Sequence, residues 1–330
     1  MRASIQLNPT NYIHFDTPIV ADSINKTGEY KADKILVKRW GEESSKDKRM
    51  YLLKSDQKPN QFTGIINLFF EREGYGVNEH DNGDKYFGYY KNDVRNGHGI
   101  YSFLPQKKDN DLLSEFYYGF WKTDLKSGHG IYLWLREDAS KEPFSDFEKS
   151  NFQAFVGEVE RDIFKKGTLL SKEGDDYMVF HGSFDLDGKR DGNKCFFYSA
   201  SLEEMLFGKY SEDQFVSGYV AHFDEDGNVK DFLKYEDGQI TPKEKLGEEF
   251  DKNSKIMFDF RNVIMGKDYF GDVYKEFKKV KEFEKTKMTS LDIFNSDQYL
   301  SLMSVATGYN KVTIFNDIEK NVEYDKQINC

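Results

Sequence analysis

Two histidines stand first among the residues that could do chemistry. Each sits between two glycines, in Gly97-His98-Gly99 and Gly128-His129-Gly130. An imidazole pair can hold a metal or respond to pH near neutrality. A zinc site takes at least three protein ligands, and no third ligand stands at a matching spacing, so we expect two polar strand positions. Asp185-Leu186-Asp187-Gly188 and Asp224-Glu225-Asp226-Gly227-Asn228 have the outline of calcium loops. Neither supplies the alternating ligands and the distant bidentate Glu of an EF-hand. Asp-Gly is also a strong tight-turn signal, so turns are the expectation.

Other chemistry fails on context. Cys195 has no His partner nearby. No P-loop, dinucleotide fingerprint or Gly-x-Ser-x-Gly occurs, and Gly97 and Gly99 lie inside an expected strand rather than before a helix. The stretch Lys275–Lys287 is the most basic, but Glu276, Glu282 and Glu284 dilute the cationic face that a membrane-surface helix needs. We therefore assign no catalytic, cofactor-binding or metal residue, and expect no cofactor and no enzyme activity.

The elements that carry these residues come from a repeated stretch. Tyr86-Phe87-Gly88-Tyr89-Tyr90-Lys91 leads through Asn92–Asn96 to Gly97-His98-Gly99-Ile100-Tyr101. Tyr118-Gly119-Phe120-Trp121-Lys122 leads at the same spacing to Gly128-His129-Gly130-Ile131-Tyr132. Weaker copies start at Gly64, Gly157, Gly182 and Gly208, and the longer intervals hold the polar insertions 106–114 and 136–150. Aromatics alternate at period two on either side of a polar, turn-prone centre, which reads as a β-hairpin. Glycines inside strands imply a close approach, and we expect the visitor to be a ring from the neighbouring unit. A lone hairpin is barely stable, so stacking in series follows.

Composition agrees. The chain has 330 residues, 16% aromatic, with 21 Tyr and 29 Phe, and aromatic-rich sequence suits strands. A net charge of −11 disfavours attraction to nucleic acid or anionic lipid. Two cysteines, Cys195 and Cys330, cannot build a disulfide framework. No signal-peptide pattern or membrane-length apolar run is present, so a soluble cytoplasmic protein is expected.

Residues 1–60 read as an N-terminal arm, extended or a disordered tail over 1–30, with short strands at 34–40 and 49–54, and 61–231 as the hairpin array. Residues 232–330 read as a helical region. Thr241-Pro242-Lys243-Glu244 there has the form of a capping box that starts a helix carrying Leu246 and Phe250. Further helices are expected at 268–285 and 296–308, with a strand at 312–315.

The repeated residues resemble the MORN family, with a good match at 86–103 and 118–134. The match is partial at 62–77, 180–197 and 206–223, and weak at 155–169. Asp93 and Asp124 replace the family's middle glycine, Val159 and Phe184 its aromatic, and Lys194 and Val220 stand near its second returning glycine. The resemblance implies a mostly β fold, an elongated antiparallel sheet of stacked hairpins held by Gly64, Gly88, Gly97, Gly99, Gly119, Gly128, Gly130, Gly157, Gly182 and Gly208, with a helical C-terminal region. It further implies a scaffold in the cytoskeleton or a ciliary axoneme, of the radial-spoke kind, binding helices or extended segments of proteins in a large assembly. A homodimer is compatible with that reading, and a lipid-binding module is the alternative. Tyr89, Tyr90, Tyr101, Phe120, Trp121 and Tyr132 are then the candidate partner-binding residues.

Overall fold

The structure is a computed structural model that describes residues 29–32, 35–40, 50–55, 61–67, 69, 71–138, 140 and 151–265. These divide into two compact units, 29–105 with Glu115–Ser127, and Gln106–Ser114 with 128–265. The fold is mostly β, antiparallel, with an α-helix at its C-terminal side. The helices expected at 268–285 and 296–308, the strand at 312–315 and the basic stretch 275–287 lie outside the described residues.

In the first unit, β1 (Glu29–Ala32), β2 (Ile35–Trp40), β3 (Met50–Ser55), β4 (Gln61–Ile66), β5 (Arg72–Glu79), β6 (Lys85–Lys91) and β7 (Val94–Ser102) pair in sequence. β7 then pairs with β9 (Asp111–Lys122). The short β8 (Gln106–Lys108) folds back on the start of β9. β10 (Leu125–Asp138) follows. In the second unit, β11 (Asn151–Glu160), β12 (Ile163–Glu173), β13 (Asp176–Ser183), β14 (Gly192–Ser199), β15 (Glu204–Ser211), β16 (Gln214–Phe223), β17 (Val229–Glu236) and β18 (Gln239–Pro242) pair in sequence.

The strands thus continue ten residues beyond the expected start of the helical region. Thr241 pairs with Lys234 as extended backbone, so it cannot cap a helix, and Pro242 makes no side-chain cap. A single 3-10 turn at Lys243–Lys245 and Gly247, at φ +52°, precede helix α1 (Glu248–Met265).

The glycines line up across strands. Gly64, Gly76, Gly88, Gly99 and Gly119 are consecutive cross-strand partners. In the second unit Gly157 faces Gly167, which faces Gly182, and Gly208 faces both Cys195 and Gly218. Over the spines lie the rings two residues upstream of Gly88, Gly157 and Gly182. A Cβ on Gly88 or Gly99 would stand 2.6 Å from Tyr86, one on Gly157 2.6 Å from Phe155, and one on Gly182 2.8 Å from Phe180. The expected visitor from a neighbouring unit is therefore corrected. The ring comes from the same hairpin, because side chains at i and i+2 share a strand face.

Register also corrects the reading of the later repeats. Gly88 pairs with Gly99 and Tyr90 with Arg95, which leaves Asn96, Gly97 and His98 as a bulge opposite Tyr89. Gly97 takes φ +117° there. In β11–β12 and β15–β16 the surplus is smaller, Lys165 and Val216 respectively. These two copies thus keep the spine glycine, as Gly167 and Gly218, and lack the bulge glycine instead, whereas the β13–β14 copy keeps Gly192 and has Cys195 at the spine position.

Candidate functional site

Among the described residues five hairpin turns are two-residue turns with positive φ at both positions: Asn92-Asp93, Thr123-Asp124, Arg161-Asp162, Glu212-Asp213 and Asp237-Gly238. That conformation matches strand twist and favours Asn, Asp and Gly. Three of these aspartates are gripped by the preceding hairpin. Arg95 donates its backbone amide and Nε to Asp124 Oδ1 at 2.9 and 3.0 Å, and Nη2 to the Asp124 carbonyl at 2.8 Å. The Asp124 amide returns to the Arg95 carbonyl at 3.0 Å. Arg72 holds Asp93, and Arg190 holds Asp213, by the same four contacts. At Asp213 burial pushes the carboxyl up, but the Arg190 amide and guanidinium together hold it below its ordinary value.

Each guanidinium also lies on rings of the spine face. Arg95 is 4.2 Å from the Trp121 ring centroid and Arg72 4.5 Å from that of Tyr90. Arg190 sits between Phe180 and Tyr210, at 5.6 and 5.5 Å. Partly desolvated cation–π pairs of this kind contribute on the order of 1–2 kcal/mol. This ladder was missed in sequence. Its signal was there: a basic residue stands two places before the returning glycine at Arg72, Arg95, Lys126, Lys165 and Arg190.

The candidate partner residues are largely consumed by this packing. Tyr90, Trp121 and Tyr132 are only 3%, 2% and 8% exposed. Tyr90 meets Phe62 and Tyr86 edge-on, Trp121 meets Tyr86 and Tyr117 edge-on, and Tyr132 stacks on Trp134 at 4.3 Å. Tyr101 is half-buried, stacks on His80 and donates its hydroxyl to Asp84 Oδ2 at 2.8 Å. Tyr89 and Phe120 are half-buried on the opposite face. His98 lies edge-on to Phe120 at 5.4 Å, and burial holds its imidazole below the ordinary value. His129 is exposed. Among the described residues no cluster of three or more His, Cys, Asp or Glu is placed to hold a metal. The Asp185 and Asp224 loops are turns, in which each carboxylate accepts a backbone amide, from Lys189 at 2.9 Å and Asn228 at 2.8 Å.

The face opposite the spine carries the other arrangement. In the second unit Phe196 stacks on Phe207 at 4.4 Å, Phe207 on Tyr219 at 6.4 Å, and Tyr219 on Phe232 at 5.7 Å. One ring per strand gives a row running across β14–β17. Helix α1 lies on it. Phe260 stacks on Phe196 at 4.2 Å, and Phe250 meets Phe232 edge-on at 5.1 Å. Ile256, Met257 and Phe260 are buried at helical spacing, and Leu246 is buried just before the helix.

Polar groups fix both ends of the helix. Glu249 accepts a hydrogen bond from the Tyr219 hydroxyl and pairs with Lys234 at 3.1 Å. Arg261, itself over Phe223, pairs with Glu203 at 3.0 Å. The Tyr219 hydrogen bond and then Lys234 draw the Glu249 carboxyl below its ordinary value against the effect of burial. Burial and the Glu249 contact push the Tyr219 hydroxyl up to about 12. The arrangement is suited to gripping an amphipathic helix by rings and end charges. No family model and no curated protein matches the chain.

Proposed function

We propose that this chain is a non-enzymatic scaffold that uses its hairpin sheet to hold protein segments within a larger assembly. The observation that supports the reading most directly is the ring row of β14–β17, which takes up a helix along its length. Strands cross-linked by Arg–Asp grips and ring stacking give such a surface little freedom to deform. Repeat arrays bind helices and extended segments on surfaces of this kind.

The resemblance to MORN repeats extends the proposal to a cytoskeletal or ciliary axonemal location. The test is fractionation of detergent-extracted cytoskeleton or isolated cilia, followed by pull-down. Retention in the insoluble fraction with defined partners is expected. Recovery wholly as a soluble monomer would overturn the placement. The net charge of −11 leads us to expect no salt-sensitive flotation with phosphoinositide vesicles, and strong flotation would favour the lipid-binding alternative.

A further inference from the structure

The ring row and helix α1 match in length. From Phe196 on β14 to Phe232 on β17 the row crosses adjacent strands spaced ~4.8 Å apart, a span of about 14 Å. Phe250 and Phe260 of α1 are separated by about 15 Å at ~1.5 Å rise per residue. The two helix rings therefore reach the two end rings of the row, Phe232 and Phe196. Beside each ring anchor is a charged one. Glu249 precedes Phe250 and meets Tyr219 and Lys234, while Arg261 follows Phe260 and meets Glu203.

The sheet does not need the helix for its own backbone bonding. Strands β14 to β17 are each paired on both sides by strands. Detaching α1 would expose Ile256, Met257 and Phe260 and break ring contacts and two end grips, but no ladder bond. The segment that joins the helix to β18 has its break at Gly247, whose positive φ and open surroundings suit a hinge.

We propose that α1 is a resident, releasable occupant of a helix-docking track on β14–β17. The track's external ligand is a partner's amphipathic helix of the same signature: an acid beside one aromatic, and an arginine beside a second aromatic about 15 Å further along. The proposal rests on the scaffold reading and names both the partner class and its control. With α1 docked the track is closed, and a partner helix must displace it. A competing helix is recognised by the same Lys234 and Glu203 charges, which fix its direction. The apparent affinity for that partner is reduced by the fraction of molecules in which α1 is docked.

Two measurements on the full chain test this. Hydrogen–deuterium exchange should show the α1 amides opening as a unit at least about tenfold faster than those of β15 and β16. Common exchange of helix and strands would make α1 part of the core and overturn the proposal. The second measurement uses a fluorescein-labelled synthetic peptide of residues 246–265 as probe. The double variant Phe250→Ala/Phe260→Ala should bind it at least about tenfold more tightly than the unaltered chain, and adding Glu203→Gln should reverse part of that gain. Equal binding to both chains overturns the proposal. If the double variant does not fold, the exchange result decides. Failure of either measurement leaves the cytoskeletal reading to its own fractionation test, because a scaffold could hold partners elsewhere on its sheet.

Discussion

The hairpins of β4–β7 and those of β11–β16 keep the same glycine spine but secure it differently. In the first set every spine position from Gly64 to Gly119 is glycine, and bulge glycines such as Gly74 and Gly97 take positive φ. In the second set Cys195 interrupts the spine, and the bulge positions are filled by Lys165 and Val216. Arg–Asp grips join successive hairpins at Arg72–Asp93 and Arg95–Asp124 in the first, and at Arg190–Asp213 in the second. The second set adds a helix over its opposite face. Departures from the repeat pattern thus accompany a new layer. A strand that packs under a helix gains burial.

The sharpest way to break that comparison is at the spine. Gly99→Val places a branched side chain where the Tyr86 ring already sits within 2.6 Å of a Cβ. We expect a loss on the order of 3–5 kcal/mol in urea denaturation, the range of severe core disruption. Cys195→Gly in the second set should cost only about 1 kcal/mol, the entropic penalty of glycine in a strand with some lost packing. Similar losses at the two positions would remove the distinction.

Next in size is the helix layer. Phe260→Ala empties a buried site on Phe196 and should cost about 3 kcal/mol, at the lower end for buried Phe truncation. Near-ultraviolet circular dichroism should show loss of ordered rings with strand content retained. Collapse of the strand signal would mean that the helix is integral to the sheet.

A smaller effect is expected at the grips. Asp124→Gly keeps a residue at home at φ +65° but loses the Arg95 contacts, for about 1 kcal/mol. Asp124→Ala adds backbone strain and should cost roughly 2 kcal/mol. Thermal melts of the two variants should rank them in that order. The reverse order would show that backbone strain at this turn adds nothing to the loss of the arginine contacts.

The smallest effect is with pH. The Tyr219 hydrogen bond, followed by Lys234, depresses the Glu249 carboxyl in the folded state against burial. Its stabilisation is therefore complete above the unfolded value of 4.5 and is lost as pH falls through the depressed folded value. Exposed ion pairs are weak, so the change should stay under about 1 kcal/mol. The opening equilibrium of α1, taken from amide exchange after division by the intrinsic rate at each pH, should increase as pH falls below 4.5, and Glu249→Gln should flatten that increase.

Much of this fold was legible in the sequence. Alternating aromatics marked the strands, Asp-Gly pairs marked turns at Asp187-Gly188 and Asp226-Gly227, and the glycine steps marked the hairpins. The candidate surface was less legible. Tyr90, Trp121 and Tyr132 looked available for a partner because a strand pattern says which residues share a face, not what covers it. Phe207 and Tyr219 drew no notice for the opposite reason. Their row exists only once four strands are side by side. The capping box at Thr241 failed because strand pairing with Lys234 took up the same residues.

By itself the sequence determined a β-hairpin array with tight turns and close-packed glycines, since period-two patterning and turn φ values are local properties. Tertiary structure decided which ring covers which glycine, that Asp93, Asp124 and Asp213 each meet an arginine from the hairpin before, and that α1 lies on a ring row. Those facts depend on cross-strand register, and a bulge of one or two residues resets every pairing that follows it.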